Sequence, residues 1–463
     1  MSELKLAELI GSLSYALDLT EGQPAGHCMR CCWIGMHIGR QLRLPEQELW
    51  SLYYALLLKD LGCSSNAARI CELYLTDDRT FKHDYKLVGT GTPQVLAFVA
   101  ARTGPHAGWQ RRMGAILNIV RNGDAVAQEL IQTRCSRGAD IARQLRFPES
   151  VAQAVHSLDE HFDGSGRPEG LRGDAIPLAA RIALLAQVVD VFHFSRGAIP
   201  ALAEARARAG SWFDPALVDA LDEVARQPAF WALLGSSEGV VERAVHALEP
   251  AAHDIELDED YLDAIAAAYG EVVDAKSPFT AGHSRRVGHY TELLAQEMGL
   301  PAERRRWLRR AAVLHDVGKL GVSNAILDKP GPLDASEWAA VKLHASYTEE
   351  ILGRISAFAE LARVSAAHHE RLDGRGYPRG VGADQIVLET RIITVADIFD
   401  AITAERPYHA ATPVPRALQM MSALVGTAID ADCFAALQRI AAREAALGGA
   451  DEGQQALVAA AVQ

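Results

Sequence analysis

Residues 309–327 read RRAAVLHDVGKLGVSNAIL, and residues 53–70 read YYALLLKDLGCSSNAARI. The two stretches align with Asp316 opposite Asp60. Ahead of Asp316, apolar residues recur at three- and four-residue spacing, which predicts one face of an amphipathic helix. That stripe consists of Trp307, Leu308, Ala311, Ala312 and Leu314. The sequence therefore predicts a helix that leads into an aspartate, and it predicts this unit twice.

The same helical spacing recurs in other parts of the chain. Between residues 257 and 275 the stripe consists of Leu262, Ile265, Ala266, Tyr269, Val272 and Val273. Glycine and proline cluster between such stripes, as in LDKPGPL from residue 327 and LDGRGYPRG from residue 372. Alternating strand-like segments are hard to find. We therefore expect an all-α fold.

Further alignments show an internal duplication. GQPAGHCMRCC, residues 22–32, matches SPFTAGHSRRV, residues 277–287, with His27 opposite His283 at an offset of 256. Residues 162–182, FDGSGRPEGLRGDAIPLAARI, align with residues 372–392, LDGRGYPRGVGADQIVLETRI, at an offset of 210. The shorter offset means that the first copy carries an insertion of about 46 residues.

The duplication predicts two tandem helical domains and a tail. The first domain covers residues 1–250 and is expected to be regulatory or structural, and the second covers residues 251–445. Residues 446–463 form the predicted tail, which we expect to be frayed or weakly docked.

Composition excludes several classes of protein. The chain has 46 Lys and Arg against 59 Asp and Glu, a net charge of −13, which argues against broad binding to nucleic acid. The first residues carry acidic side chains and helical spacing, so we expect no signal peptide, and no run approaches the roughly 18 apolar residues of a membrane span. Seven cysteines with irregular spacing fit reduced thiols. We expect a cytoplasmic protein with no membrane segment.

The second half concentrates the residue types that bind metals. These residues are His283, His315, Asp316, His344, His368, His369 and Asp397. A single histidine such as His289 or His253 is usually a surface or core residue, but seven such ligands exceed the needs of one tetrahedral site. They match two metals bridged by one carboxylate, for which Asp316 is the natural candidate. Lys319 lies one turn later, where its ammonium could reach a phosphate oxygen.

A known family shares these motifs in the same order. AGHSRRV, HDVGK, HASYT, HHERLDGRGYP, VADIFDAIT and ERPYH follow one another between Leu257 and Arg439. In these motifs the second half resembles the HD-GYP domain, a branch of the HD-domain phosphohydrolases. The resemblance implies a helical bundle around a binuclear metal centre that hydrolyses cyclic di-GMP. The chain would then contain two tandem HD-type helical bundle domains.

The resemblance also implies a role for each site residue. One metal would be held by His283, His315, Asp316 and Asp397, and the other by Asp316, His344, His368 and His369. The two divalent ions are expected to be Fe or Mn. A bridging hydroxide would attack phosphorus, and the departing ribose 3′ oxygen would give linear pGpG, with GMP left open as a later product. Substrate contacts are assigned to Tyr377, Arg406, Arg371 and Arg375.

Several positions depart from the family pattern. Phe279 stands four residues before His283, where members with a third metal place Glu, so we expect two metals. Thr348 replaces a glycine in the stretch HASYT, and His409 replaces a basic residue, which could weaken phosphate binding at neutral pH. None of these changes removes a ligand of the two-metal site.

The first copy has lost most of this chemistry. His27 and Asp60 remain, whereas the other positions carry Lys59, Cys63, Arg134, Leu158, Asp159, Arg167 and Gln187. Cations in place of imidazoles would repel a divalent ion, so no binuclear centre is expected there. We favour a structural partner or dimerisation domain, because charged side chains mostly face solvent. The alternative is a sensor whose pocket is lined by Lys59, Arg134 and Arg167. Cys28, Cys31 and Cys32 are interpreted as small buried hydrophobes.

The sequence leaves alternatives open for the whole protein. The first is a metal-dependent phosphodiesterase of cyclic di-GMP. The second keeps this chemistry but takes another cyclic dinucleotide, such as cyclic GMP-AMP. The third is a non-hydrolysing scaffold that senses the nucleotide or docks onto a diguanylate cyclase through the GYP loop, residues 376–378. A homodimer is also left open.

Overall fold

The computed structural model of the protein describes residues 4–88, 92–251, 255, 257–405 and 411–460. Side chains are described through residue 446, except at residue 92. Within these ranges the regular elements are all helices, joined by turns and three isolated β-bridges. The predicted all-α class is therefore confirmed.

The first half contains thirteen α-helices within the described residues. They are α1 (Leu6–Thr20), α2 (His27–Gln41), α3 (Glu46–Leu58), α4 (Ala67–Tyr74), α5 (Asp78–Tyr85), α6 (Thr92–Arg102), α7 (Trp109–Gln144), α8 (Glu149–His156), α9 (Leu178–Arg196), α10 (Ala198–Ala207), α11 (Pro215–Ala225), α12 (Pro228–Leu234) and α13 (Glu238–His246). Short 3-10 turns occupy Cys63–Asn66 and Gly173–Ala175.

The second half repeats the arrangement in a shorter form. Its helices are α14 (Glu259–Asp274), α15 (His283–Glu297), α16 (Ala302–Val313), α17 (Asn324–Leu327), α18 (Ala335–Gly353), α19 (Ala359–Ala366), α20 (Leu388–Thr403), α21 (Val414–Ser422) and α22 (Ala431–Ala460). Two 3-10 turns occupy Val317–Gly321 and Ser356–Phe358. The last helix continues through much of the segment that the sequence assigns to a tail.

Glycine fixes where two of the site helices begin. Helices α2 and α15 both start at a histidine, and each is preceded by a glycine in the left-handed region. Gly26 has φ 79° and Gly282 has φ 70°, a conformation that other residues adopt only at a cost. This turn places His27 and His283 at equivalent positions in the two halves, each buried.

A close backbone approach places α18 against the turn that follows Asp316. A Cβ added to Gly318 would lie 1.9 Å from the carbonyl oxygen of His344. In the first half, a Cβ on Gly62 would lie 1.8 Å from the carbonyl oxygen of Arg134. Only glycine permits this approach, which brings residue 344 next to residue 316.

The two halves share one continuous apolar core. Helices α1 and α14 lie at the junction, where the Tyr269 hydroxyl donates to the Leu9 carbonyl at 3.0 Å. The Ser12 hydroxyl donates to the Ile351 carbonyl at 2.6 Å. Because these hydrogen bonds are buried, separating the halves would expose unpaired polar groups as well as apolar surface.

Helix α5, from the insertion, contacts the segment next to the second-half site. The Asp78 carboxylate accepts the Asn324 backbone N–H at 2.9 Å, and it lies 3.7 Å from the Lys276 ammonium. The Arg79 guanidinium donates to the Gly321 carbonyl at 2.5 Å. The first half thus supports the chain two residues beyond Lys319.

One helix among the described residues is long and apolar enough to cross a membrane. This is α9, in which a stretch of 18 residues has a mean hydropathy of 1.4. Two thirds of that stretch is buried inside the protein, as in the core helix of a folded domain.

We predict that Gly318→Ala disrupts the turn that follows Asp316. The new methyl group meets backbone atoms that cannot move independently, so the free energy of unfolding should fall by about 1–3 kcal/mol or more. Gly123→Ala in α7 is the matched control, because nothing lies within 4 Å of a Cβ there. Denaturant unfolding should show that this control is neutral or stabilised by about 0.5–1 kcal/mol. Equal stability of the two variants would contradict the close approach.

Candidate metal centre

The Asp316 carboxylate lies at the centre of the seven predicted ligands. One of its oxygens, Oδ2, lies 3.4 Å from His283 Nε2 and 3.3 Å from His315 Nε2. Asp397 Oδ1 completes this side, at 3.4 Å from His283 Nε2 and 3.7 Å from His315 Nε2. His283 lies on α15, His315 follows α16, and Asp397 lies on α20. The ligand atoms of these three residues lie within 4.8 Å of one another.

The other Asp316 oxygen faces the remaining histidines. Oδ1 lies 3.5 Å from His344 Nε2 and 3.8 Å from His368 Nε2. The His369 ring centroid lies 5.0 Å from that of His344 and 4.0 Å from that of His368. Ligand atoms of these three histidines also lie within 4.8 Å of one another. The two oxygens of Asp316 therefore face two separate ligand sets.

Backbone carbonyls orient three of the imidazoles. Nδ1 lies 2.6 Å from a carbonyl oxygen three residues earlier in His315, His344 and His368. Donation from Nδ1 leaves the Nε2 lone pair free and fixes the ring orientation, as is usual for histidines that bind metals. The three Nε2 atoms all lie within 4 Å of Asp316.

Electrostatics differ between the two sides. Burial lowers the pKa of His315, but the negative charges of Asp316 and Asp397 outweigh it and raise the pKa to about 9. Burial and the nearby His344 lower the pKa of His369 to about 3. Burial raises the pKa of Asp316, but the charges of His315 and Lys319 hold it well below its usual value. The carboxylate side thus requires a positive charge, while His369 on the other side stays neutral.

The residues present fit divalent metal binding. His315 Nε2 and Asp316 Oδ1 are buried and have no hydrogen-bond partner among the described residues. Unpaired buried polar atoms are costly, and a cation between them would satisfy both. The donor set of imidazoles and carboxylates suits Mn, Fe, Zn or Ni.

Lys319 contacts the same carboxylate. Its ammonium donates to Asp316 Oδ2 at 2.5 Å, and its side chain is about one-fifth exposed. The lysine therefore lies beside the ligand cluster and remains accessible from outside. Contact with a phosphate oxygen stays a prediction.

The predicted substrate residues lie at different distances from the cluster. The Tyr377 ring lies over His369, with centroids 4.8 Å apart, and burial raises the pKa of its hydroxyl above the usual range. Arg371 pairs with Asp373 at 2.7 Å in the exposed loop rather than with the histidines, and Arg375 is exposed. Arg406, like His409, lies outside the described residues.

Sequence reasoning missed three residues that support the site. Asp400 accepts from His283 Nδ1 at 2.7 Å and from Arg286 Nε at 2.6 Å. Its spacing of three residues from Asp397 along one helix could have indicated this role.

The other two missed residues hold backbone segments. Glu370 accepts the backbone N–H groups of Arg379, Gly380 and Val381, which anchors the loop that carries Tyr377. Thr348 accepts the Gly318 N–H and donates to the His315 carbonyl, each at 3.0 Å. The threonine that departs from the family pattern thus braces the turn at Asp316.

In the first half, a lysine lies where the second half has His315. The Lys59 ammonium contacts Asp60 and lies 3.1 Å from His27 Nε2 and 3.0 Å from Gln187 Oε1. Burial and the Lys59 charge lower the pKa of His27 to about 4, so the neutral ring accepts from the ammonium. Its Nδ1 donates to Asp190 at 2.6 Å, as His283 does to Asp400.

The expectation that the first-half charges face solvent is wrong for Lys59. It is 2% exposed, because Asp60 compensates its charge inside the protein. Cys28, Cys31 and Cys32 are fully buried, and burial raises the pKa of each thiol well above its usual value. Absence of a metal from this half stays a prediction.

We predict that Asp400→Asn weakens metal binding in the second half. Loss of the charge that orients His283 should reduce metal affinity or activity by about 10–100-fold. Asp190→Asn makes the same change in the first half and is the matched control, with metal affinity expected to be unchanged. Titration of chelator-treated protein with Mn²⁺ measures both. Equal affinities of the two variants would contradict the assignment.

We also predict that Lys59→Met destabilises the first half. The substitution leaves the buried Asp60 carboxylate unpaired, and breaking a buried pair costs about 3–5 kcal/mol. Lys59→Met combined with Asp60→Leu removes both charges and should recover most of that loss in denaturant unfolding. A single substitution as stable as the wild type would show that the ammonium is not needed there.

Comparisons with known proteins bear on both halves. The sequence model of the family described as HD domain matches residues 101–217 and 269–433. The chain is 58% identical over 434 residues to the 3'3'-cGAMP-specific phosphodiesterase 3 of Vibrio cholerae, and the match covers 94% of each chain. It is 36% identical over 170 residues to a cyclic di-GMP phosphodiesterase of Thermotoga maritima, covering 36% of this chain and 46% of that protein.

A solved structure matches over nearly the full length. It is the crystal structure of a cyclic GMP-AMP-specific phosphodiesterase of V. cholerae, with 52% identity and a TM-score of 0.65. The match covers 94% of this chain and 97% of that one. The family match spans more than half of the chain and both of its halves. The chain therefore belongs to the HD-domain phosphohydrolase family.

Proposed function

We propose that the protein is a metal-dependent phosphodiesterase that hydrolyses cyclic GMP-AMP. The observation that carries this proposal is the Asp316 carboxylate, whose two oxygens face two sets of buried imidazole and carboxylate ligands. Two adjacent divalent ions suit hydrolysis of a phosphodiester, because they neutralise charge at phosphorus and activate water. Seven ligands on separate helices exceed what a structural site needs.

The ligand sets of the proposal follow the two sides of Asp316. His283, His315 and Asp397 would hold one ion, and His344, His368 and His369 the other, with Asp316 shared. We propose Fe or Mn for both positions, since this donor set suits either. Phe279 offers no ligand atom in place of a family glutamate, which supports two ions rather than three.

The chain's own residues then position the substrate. Lys319, beside Asp316, would pair with a phosphate oxygen, since an ammonium is a compact point charge for such a group. Tyr377 covers His369 and offers an aromatic face and a hydroxyl at the edge of the cluster. Hydrolysis joins the water oxygen to phosphorus and breaks the bond from phosphorus to the ribose 3′ oxygen. That oxygen takes a proton, which gives a linear dinucleotide.

The choice of substrate rests on how much of the chain each relative matches. The relative named for cyclic GMP-AMP matches 94% of this chain, including the first half. The T. maritima relative named for cyclic di-GMP matches about one third of it. This difference supports cyclic GMP-AMP, which the sequence treats as the alternative, over cyclic di-GMP. Cytoplasmic location, a homodimer and contact with a diguanylate cyclase stay predictions.

Chromatography of reaction products tests the proposal. Protein reconstituted anaerobically with Fe(II) or Mn(II) should convert cyclic GMP-AMP to a linear dinucleotide at a higher kcat/KM than cyclic di-GMP. His344→Ala should abolish turnover, because it removes a ligand from one set. His289→Ala is the matched control, since His289 is exposed on α15 and belongs to neither ligand set.

Three results would contradict the proposal. Hydrolysis of cyclic di-GMP at a higher kcat/KM than cyclic GMP-AMP would overturn the assigned substrate. It would still support metal-dependent hydrolysis of a cyclic dinucleotide. Binding of either dinucleotide without hydrolysis, at confirmed metal occupancy, would favour the scaffold alternative. Full activity of His344→Ala would show that hydrolysis does not depend on the proposed metal centre.

A further inference from the structure

A cavity of about 350 Å³ lies in the first half, at the position that corresponds to the metal centre. Four of its lining residues, Arg134, Asp159, Arg167 and Gln187, align with metal or substrate residues of the second half. This volume lies at the lower end of the range for small-molecule sites, roughly 300–1,000 Å³. The first half therefore lacks most of the metal ligands predicted for the second half but keeps a cavity at the corresponding position.

Basic side chains surround this space. Lys82 on α5 and Lys86, which follows the end of α5, both pair with the Glu21 carboxylate, at 3.1 and 2.9 Å. Lys82 also donates to the Cys63 carbonyl at 2.8 Å, whereas Lys86 Nζ is buried and, apart from its ion pair with Glu21, has no hydrogen-bond partner among the described residues, so an anionic ligand could satisfy it. Arg134 on α7 pairs with Asp159, and both line the cavity.

Arg167 is the most adaptable of these cations. It occupies the position of Tyr377 and pairs with Asp124. The Asp124 side chain is 95% exposed, so this ion pair contributes little and can be exchanged at small cost. A planar guanidinium in this position suits bidentate contact with a phosphate group.

Aromatic rings form another wall of the cavity. The rings of His161 and Trp212 are stacked, with centroids 4.2 Å apart and planes 19° apart. The Arg208 guanidinium lies 4.2 Å from the Trp212 centroid, and Tyr85 on α5 lines the cavity while half exposed. Rings beside cations match a ligand that carries both a planar base and a phosphate.

We propose that this first-half cavity binds a nucleotide. Its phosphate would contact Lys86, Arg134 and Arg167, and its base would lie against the wall formed by Tyr85, His161 and Trp212. The phosphate chemistry is shared by inorganic phosphate and nucleotides, but the aromatic wall favours the nucleotide. This site needs no metal and no turnover, so it stands apart from the proposed hydrolysis.

Calorimetric titration of the full-length, chelator-treated protein tests this site, with GMP as the probe. GMP should bind at one site per chain, and inorganic phosphate at least tenfold more weakly. Arg167→Gln should weaken GMP binding about tenfold or more, since it removes a charged phosphate contact. Arg226→Gln is the matched control, because Arg226 is exposed and lies outside the cavity lining.

Two further variants separate this site from the others. Tyr85→Ala removes an exposed ring, so the fold should be kept while GMP binds more weakly and phosphate binds as before. Asp316→Asn alters the second half only and should leave GMP affinity unchanged. Absence of GMP binding, binding insensitive to both Arg167→Gln and Tyr85→Ala, or loss of binding in Asp316→Asn would each overturn the proposal. So would phosphate that binds as tightly as GMP. None of these results depends on whether the protein hydrolyses a dinucleotide.

Discussion

A single buried carboxylate organises the second half of this protein. Asp316 is 1% exposed, and its two oxygens face imidazole nitrogens of His283 and His344, which come from other segments of the chain. Such a group cannot stay ionised inside a protein without positive charge around it. Protons on the histidines, the Lys319 ammonium or bound metal ions can supply that charge. The glycine at position 318 and the brace from Thr348 serve to hold the turn that aims this carboxylate.

The first half shows how the same fold compensates a buried aspartate without an imidazole at the position of His315. Asp60 is equally buried, but Lys59 replaces His315 and supplies its charge from within the chain. The ring of His27 then accepts from the lysine, whereas the corresponding ring of His283 faces Asp316 and Asp397. Lysine in place of His315 is thus one of several replacements that turn a site that requires an external cation into one that carries its own. The surrounding helices, and the pairing of the histidine with Asp190, are retained.

Much of this could be predicted from the sequence, because helical spacing and residue type report directly on helices and ligands. The all-α class and the duplication followed from patterns, and the structure brings the seven predicted ligands together. Which ligands face which oxygen of Asp316 depends on how four helices meet, and the spacing of residues along the sequence does not encode this. The buried position of Lys59 was missed because charged residues usually face solvent, and only its contact with Asp60 explains the exception. Asp400 and Glu370 act through other groups: the spacing of Asp400 from Asp397 was the one available signal, and no motif separates Glu370 from ordinary acidic residues.

Metal analysis of His315→Lys tests most directly whether the cluster around Asp316 binds metal. The variant places a lysine beside Asp316, as Lys59 stands beside Asp60 in the first half. Mass spectrometry of the wild-type protein should find two divalent ions per chain. The variant should keep its helical circular dichroism spectrum, bind no metal and lose turnover, since the new ammonium would pair with Asp316. A folded variant that still binds two ions would contradict the account, because neither ion would then depend on the cluster around Asp316.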